Sequence, residues 1–276
     1  PKINGVSFVA SREEAKQEHV DEVLSVNANH AAVMPFGFIR DIHSPEIIHN
    51  TDRQWFGETE RGAKQYIELL HKNGVQVMVK PQIWIWRGEF TGTLKMNSEE
   101  EWKTLEKSYD NFILTYAELA EVTKADILCI GTELEQFVKN RPTYWKNLVQ
   151  RIRKVYKGKL TYAANWDEFS RTTFWEDLDF IGIDAYFPLT EETNGKNITA
   201  DQILAGWESG INYDYYIDEH NTEKHLEPQY AIQNIEWWWK NKHINPDGKA
   251  TAWQPKMKPI VFTEVGFPSV DHATNF

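Results

Sequence analysis

Two glutamates stand directly after short apolar segments, where their carboxyl groups are suited to acid–base and nucleophilic chemistry. Glu133 follows residues 127–132, and Glu264 follows residues 259–263. Both segments are short, rich in β-branched side chains and bounded by structure-breaking residues, which is typical of buried parallel strands. In a (β/α)₈ barrel the carboxyl ends of such strands carry the chemistry. Two carboxyl groups at that face suit glycoside hydrolysis, which needs one protonated and one ionised group.

Aromatic and polar residues that end or follow other predicted strands are candidates for sugar contacts. The chain has 12 Trp, 11 Tyr and 14 Phe, and flat apolar rings that also donate a hydrogen bond suit sugar faces. The candidates are Lys80, Gln82, Trp84, Trp86, Arg87, Asn165 and Trp166. For Gln82, Trp84, Trp86, Asn165 and Trp166, packing or simple exposure in a loop is an open alternative. The alternatives for Arg87 and Lys80 are that they order the loop and, for Lys80, that it pairs with a carboxylate. The run of tryptophans at 237–239 lies in a predicted helix, so its rings point in different directions and part of the run is expected to be structural.

Strand and helix patterns alternate along the chain, which predicts a parallel sheet with helices outside it. The predicted strands cover residues 3–9, 31–34, 75–80, 127–132, 160–164, 180–183 and 259–263. The predicted helices cover residues 12–26, 59–72, 99–122, 142–156, 200–208 and 228–241. Ser11 and Glu14 form a predicted capping box for the first helix. Residues 81–96 are predicted to be a loop.

These elements predict an α/β fold of the (β/α)₈ TIM-barrel type, in a single catalytic domain over residues 1–276. The connection between the sixth and seventh predicted strands, at about 187–257, is expected to be extended. Only seven strands are predicted, and an open barrel would expose a strand edge, which proteins avoid. We therefore expect the natural polypeptide to continue past Phe276, or another segment to close the sheet. A doubly wound open sheet is less favoured, because no Gly-rich phosphate turn follows the first strand.

Charge and composition exclude several classes of partner. The net charge of −11 argues against nucleic acid, since phosphate contacts need a basic surface. No segment approaches the roughly 20 apolar residues that span a bilayer, so no membrane insertion is expected. Zinc-type spacings of His and Cys are missing, so we expect no metal. The location is expected to be extracellular or periplasmic if a leader was removed, and cytoplasmic otherwise.

Several segments together resemble glycoside hydrolase family 113, the β-mannanases of the retaining clan A. The resemblance covers nearly the whole chain and includes the segments around residues 29–36, 80–88, 130–135, 181–188 and 262–267. Thr-Glu at residues 132–133 and Thr-Glu-Val-Gly-Phe at residues 263–267 carry the two glutamates. Their order and spacing are more specific than any single segment.

The resemblance implies a (β/α)₈ fold and cofactor-free, retaining, endo-acting hydrolysis of mannan-type polysaccharides or oligosaccharides. It makes Glu133 the acid/base, Glu264 the nucleophile and Tyr186 the tyrosine that donates a hydrogen bond to the nucleophile. Two positions depart from the usual pattern. Thr132 stands where most of the clan has asparagine, and Gln82 stands where the family commonly has histidine.

Two alternatives to a β-mannanase stay open at this point. One is another clan A β-glycanase or a transglycosidase, because loop geometry and not the fold decides which sugar is accepted. The other is a non-catalytic sugar-binding barrel, which the two strand-end glutamates disfavour, since binding alone needs no such pair. The sequence makes no prediction of oligomeric state.

Overall fold

A computed structural model describes residues 2–190, 198–209, 215–217, 223–225, 235–242, 252–267 and 273 of the protein. The chain divides into two compact units. The first unit consists of Pro1–Ala163 and Asp177–Phe180, and the second consists of Ala164–Glu176 and Ile181–Phe276. That residues 1–276 form a single catalytic domain stays a prediction.

The strands of the first unit run mainly parallel to one another. In chain order they are β1 (Gly5–Phe8), β2 (His30–Val33), β3 (Phe36–Ile39), β4 (Gln76–Val79), β5 (Gln82–Ile85), β6 (Ile127–Thr132) and β7 (Lys159–Asn165), whose last two residues belong to the second unit. Strands β1, β2, β4, β6 and β7 are successive parallel neighbours. The apolar side chains of β6 are buried throughout residues 127–131, as expected for a strand covered on both faces.

The pair formed by β3 and β5 corrects the prediction that residues 81–96 are a loop. The two strands pair in parallel, with Phe38 opposite Trp84. Along β5, Ile83 and Ile85 are buried while Trp84 is half exposed, which is the alternation of a strand with one covered face. Residues 81–96 therefore hold a strand followed by the 3₁₀ turns Trp86–Gly88 and Thr91–Thr93.

Two of the five helices described in the first unit begin at a side-chain cap. The five helices are α1 (Gln17–Ser25), α2 (Glu60–Lys72), α3 (Glu99–Thr123), α4 (Glu135–Asn140) and α5 (Pro142–Val155). Thr59 accepts a hydrogen bond from the backbone of Gly62 at the start of α2, and Ser98 forms a capping box at the start of α3. Helix α4 was not predicted.

The predicted start of the first helix at residue 12 is wrong. Helix α1 begins at Gln17, after the N-cap residue Lys16. The hydroxyl of Ser11 instead lies 2.8 Å from the hydroxyl of Tyr66, a residue of α2. Ser11, the predicted cap, therefore contacts α2 and does not cap α1.

The second unit contains the last two predicted strands of the parallel sheet. These are β8 (Ile181–Asp184) and β11 (Ile260–Glu264), which pair in parallel. The short strands β9 (Tyr215–Ile217) and β10 (Glu223–His225) pair in antiparallel fashion. All seven strands predicted from sequence are present, as β1, β2, β4, β6, β7, β8 and β11.

The helices of the second unit are α6 (Ala200–Ser209) and α7 (Ile235–Lys240). Helix α6 confirms the predicted helix at 200–208, and α7 confirms the end of the predicted helix at 228–241, of which residues 228–234 lie outside the described part. In α7, Trp238 is buried with its ring edge against Phe169 and Trp253. That tryptophan is structural, as the helical run predicted. No helix in the described ranges combines the length and the apolar character needed to cross a membrane.

Candidate active site

Glu133 lies immediately beyond the carboxyl end of β6 in an unusual backbone conformation. Its φ is +49°, in the left-handed region, which costs a residue with a side chain about 1–2 kcal/mol. Its N–H donates to the carbonyl of Ala163 at 2.8 Å, and its carbonyl accepts from the hydroxyl of Thr91 at 3.2 Å. The side chain is half-buried. The carboxyl group thus stands at the strand end, on a backbone that its neighbours hold in a strained form.

Buried aromatic side chains surround the end of β6. Tyr109 donates its hydroxyl to the carbonyl of Ile130 at 2.7 Å, and Tyr162 accepts the N–H of Leu134 at 2.7 Å. A Cβ on Gly131 would lie 2.9–3.0 Å from atoms of Tyr109, Trp145 and Tyr162. We call these three side chains the aromatic clamp. Only glycine fits between its members without displacing them.

Burial raises the pKa of Tyr109 well above its ordinary value. Its hydroxyl therefore stays protonated at neutral pH and remains a hydrogen-bond donor to the carbonyl of Ile130. The sequence did not single out Thr91, Tyr109 or Tyr162. These residues lie 24–42 positions from Glu133 in the sequence. No local pattern shows that their hydroxyls reach the backbone around it.

The sugar-contact candidates of the first unit differ sharply in exposure. The rings of Trp84 and Trp86 are 49% and 66% exposed, so both have faces open to a ligand. Arg87 is exposed, with a left-handed φ of +73°. Gln82 is half-buried, and its amide nitrogen lies 3.5 Å from the sulfur of Met34. Lys80 is fully buried, which suits an internal polar role better than a contact on an open surface.

Glu264 ends β11 and receives a hydrogen bond from Tyr186. The hydroxyl of Tyr186 donates to Oε2 of Glu264 at 2.8 Å, while the backbone N–H of Ala185 donates to the Glu264 carbonyl at 2.8 Å. A hydrogen bond to the charged form favours a carboxylate over the neutral acid. The structure therefore brings together the two residues that were predicted to be nucleophile and donor.

A buried pair beneath Glu264 fixes the ends of β8 and β11. The hydroxyl of Thr263 donates to Oδ1 of Asp184 at 2.7 Å, and both side chains are buried. Asp184 lies opposite Glu264 in the strand register, next to a register shift between Phe262 and Glu264. Asp184 thus ties two neighbouring strand ends together, and its burial makes direct contact with a substrate implausible.

Asn165 and Trp166 form a tight turn at the end of β7. The side-chain oxygen of Asn165 accepts the N–H of Trp166 at 2.6 Å, and the N–H of Asn165 donates to the buried carboxylate of Glu168 at 3.0 Å. The ring of Trp166 meets Phe187 edge-on, with centroids 6.2 Å apart. Both Asn165 and Trp166 are half-buried. Glu168, which the sequence did not single out, orients this turn.

The candidates are therefore divided between the units. Glu133 belongs to the first unit, together with Lys80, Gln82, Trp84, Trp86 and Arg87, whereas Asn165, Trp166, Tyr186 and Glu264 belong to the second. The convergence of Glu133 and Glu264 on one substrate bond stays a prediction. Within the described ranges, no group of three or more His, Cys, Asp or Glu side chains is arranged to hold a metal ion.

Solved structures similar to this chain define its fold class. A β-mannanase of family 113 from Alicyclobacillus acidocaldarius, in complex with ManMIm, matches 95% of this chain and 87% of its own, with a TM-score of 0.62 and 18% identity. Two structures of family 113 β-1,4-mannanase, one of them a complex, match 68% of this chain with TM-scores of 0.60 and 0.59 and identities of 23% and 22%. The protein has the α/β fold of the (β/α)₈ barrel that its sequence predicted.

The family itself follows from the sequence match. The model of Glycoside Hydrolase Family 113 matches residues 9–276, and the chain belongs to glycoside hydrolase family 113. It spans 64% of the length of the two β-1,4-mannanase chains. No curated protein matches it in sequence.

Proposed function

We propose that this protein hydrolyses β-1,4-linked mannan, within the polymer and with retention of anomeric configuration. Its membership of family 113, matched over residues 9–276, is the observation that carries the proposal. The similar solved structures are of β-mannanases of that family, and this chain has strand-end glutamates at positions 133 and 264. The partner is a β-linked polysaccharide or oligosaccharide, and the chemistry needs no cofactor.

In the first step Glu264 attacks the anomeric carbon while Glu133 protonates the glycosidic oxygen. The sugar–oxygen bond breaks, a glycosyl ester forms on Glu264, and the shortened chain leaves with the proton of Glu133. The hydrogen bond from Tyr186 to Oε2 of Glu264 supports this role, because it favours the ionised carboxylate and leaves Oε1 to attack.

In the second step Glu133, now ionised, takes a proton from water. The water oxygen attacks the anomeric carbon, the ester bond to Glu264 breaks, and both glutamates return to their starting forms. Two displacements at one carbon give net retention. This mechanism requires the two carboxyl groups to be about 5–5.5 Å apart, whereas an inverting enzyme separates them by roughly 6.5–9.5 Å.

The exposed rings of Trp84 and Trp86 are proposed sugar contacts. Arg87, Gln82, Asn165 and Trp166 are proposed to add polar and stacking contacts. Lys80 is proposed to order the neighbouring loop and not to contact the sugar directly, because its side chain is fully buried.

The test is hydrolysis of mannan by the purified protein, with glucan and xylan alongside it. We expect manno-oligosaccharides of mixed length, and a first product that keeps the β configuration when it is followed by NMR. Glu133→Ala and Glu264→Ala should each lower turnover by roughly 10²–10⁴-fold while substrate binding survives. Glu135→Ala is the matched control, because that glutamate lies two residues from Glu133 at the start of α4.

The outcomes separate the alternatives. Cleavage of glucan or xylan in preference to mannan would indicate another clan A glycanase, and longer products would indicate a transglycosidase. Binding of mannan without any cleavage would indicate a sugar-binding barrel. Full activity of Glu133→Ala or Glu264→Ala would remove that residue from the mechanism.

A further inference from the structure

The peptide bond between Glu133 and Leu134 is held at both of its polar ends by side-chain hydroxyls. Its carbonyl, on Glu133, accepts from the hydroxyl of Thr91 at 3.2 Å. Its N–H, on Leu134, donates to the hydroxyl of Tyr162 at 2.7 Å. Because the peptide group is planar, two contacts at opposite ends fix its rotation about the chain.

This peptide group sets the direction of the Glu133 side chain. The φ of Glu133 is +49°, a region that residues with a Cβ rarely occupy and that persists only where the surroundings determine it. The N–H of Glu133 is fixed separately, by the carbonyl of Ala163 at 2.8 Å. If the peptide group were released, the backbone could relax toward an ordinary conformation, and the carboxyl group would swing away from its present direction.

We infer that Thr91 and Tyr162 are positioning residues for the general acid: they hold the Glu133–Leu134 peptide group, and through it the carboxyl group of Glu133, in line with the glycosidic oxygen. The inference rests on the proposed function, because it assigns Glu133 the acid role. Neither hydroxyl is needed to touch the substrate. Tyr162 is fully buried and packs edge-on against Trp145, with centroids 5.6 Å apart, so it acts from the interior side of the strand.

The variants that test the inference remove one hydroxyl each and keep the side-chain shape. Thr91→Val removes the contact to the Glu133 carbonyl, and Thr91→Ser retains it. Tyr162→Phe removes the contact to the Leu134 N–H and keeps the ring against Trp145. Thr93→Val is the matched control, because the Thr93 hydroxyl bonds the carbonyl of Phe90 in the same 3₁₀ turn and does not reach Glu133.

The readout compares two substrates that differ in their need for an acid. A manno-oligosaccharide releases a sugar hydroxyl, which must be protonated as it leaves. An aryl β-mannobioside with an acidic phenol releases a phenolate, which needs no protonation as it leaves. Since kcat/KM reports transition-state stabilisation relative to free enzyme and substrate, a displaced acid lowers kcat/KM for the first substrate and spares the second. A general loss of folded protein lowers both equally.

We expect Thr91→Val and Tyr162→Phe to lower kcat/KM for the oligosaccharide about tenfold, a fraction of the roughly 10²–10⁴-fold that general acid catalysis supplies. For the aryl substrate we expect less than a twofold change. Thr91→Ser should restore the wild-type ratio of the two values, and Thr93→Val should leave that ratio unchanged.

Equal losses on both substrates, or no loss on either, in an otherwise active enzyme would overturn the inference alone. An unmodified protein that cleaves neither substrate would overturn the proposed function and the inference with it. A Glu133→Gln variant that cleaves the oligosaccharide at the normal rate would remove Glu133 from the mechanism, and the inference with it, while the proposed activity stands. The two failures are therefore distinct. Thermal unfolding of each variant in the same buffer shows whether the compared samples are equally folded.

Discussion

Tyr186 donates to Oε2 of Glu264 over 2.8 Å, a hydrogen bond between two side chains that are 78 residues apart. Tyr186→Phe removes this donor and keeps the ring. We expect kcat/KM on mannan to fall about 10–100-fold, because hydrogen bonds to charged groups contribute roughly 1.5–3 kcal/mol and the carboxylate loses its fixed orientation. Steady-state kinetics on mannan measure the loss.

Stability is the control for this substitution. A phenol hydroxyl that only stabilised the fold would, when removed, lower the melting temperature and leave the kinetics of the folded enzyme intact. A Tyr186→Phe enzyme with normal kcat/KM would show that the hydroxyl has no part in the reaction.

At the same scale, the burial of His49 is expected to make the protein less stable at mildly acidic pH. Burial lowers the pKa of His49 below its ordinary value of 6.5. As pH falls through about 6.5, the unfolded chain therefore binds the proton before the folded chain does, and the free energy of unfolding decreases. His30 shifts in the same direction, mainly through burial, with Asp126 opposing the shift.

The measurement is urea unfolding at about pH 7.5 and about pH 5.5. His49→Phe keeps a ring against Phe112, whose centroid lies 5.4 Å from that of His49. We expect this variant to lose less stability between the two pH values than the unmodified protein loses. An equal loss in both proteins would show that His49 does not contribute to the pH dependence.

At the scale of elements, the aromatic clamp and the strand it surrounds form one packed unit. Gly131→Ala would place a Cβ 2.9 Å from Trp145, 2.9 Å from Tyr109 and 3.0 Å from Tyr162. Overpacking of this kind costs about 1–3 kcal/mol, and we expect that loss in chemical denaturation.

Gly5→Ala is the matched comparison, in a strand of the same sheet. Its new Cβ would have no neighbour nearer than 3.9 Å, so the change in stability should stay within about 0.5 kcal/mol. Equal changes in the free energy of unfolding for the two substitutions would mean that the aromatic clamp accommodates the added methyl group without loss of stability.

At the scale of the whole molecule, the proposed mechanism requires residues from both units to act on one bond. Groups that act as a unit in catalysis are strongly non-additive. We therefore expect a Glu133→Gln, Glu264→Gln double variant to be no slower than the more impaired single variant. Losses that multiplied in the double variant would indicate that the two carboxyl groups act independently.

Most secondary-structure elements and the positions of the two glutamates could be predicted from the sequence alone. The seven predicted strands, the ends of α2 and α3 and the strand-end positions of Glu133 and Glu264 follow from apolar periodicity, caps and breakers, which are local signals. The same signals failed at Ser11, whose hydroxyl bonds Tyr66 of α2, and at β5, whose pairing partner β3 stabilises a segment that reads as a loop.

The sequence by itself determined the class of fold and the two carboxyl groups, because burial period and residue type are properties of neighbouring positions. Tertiary structure alone decided how those groups are held. The bonds from Tyr162 to Leu134, 28 residues away, and from Tyr186 to Glu264 join segments whose proximity exists only after folding. Such contacts depend on where distant backbones meet, and no local pattern carries that information.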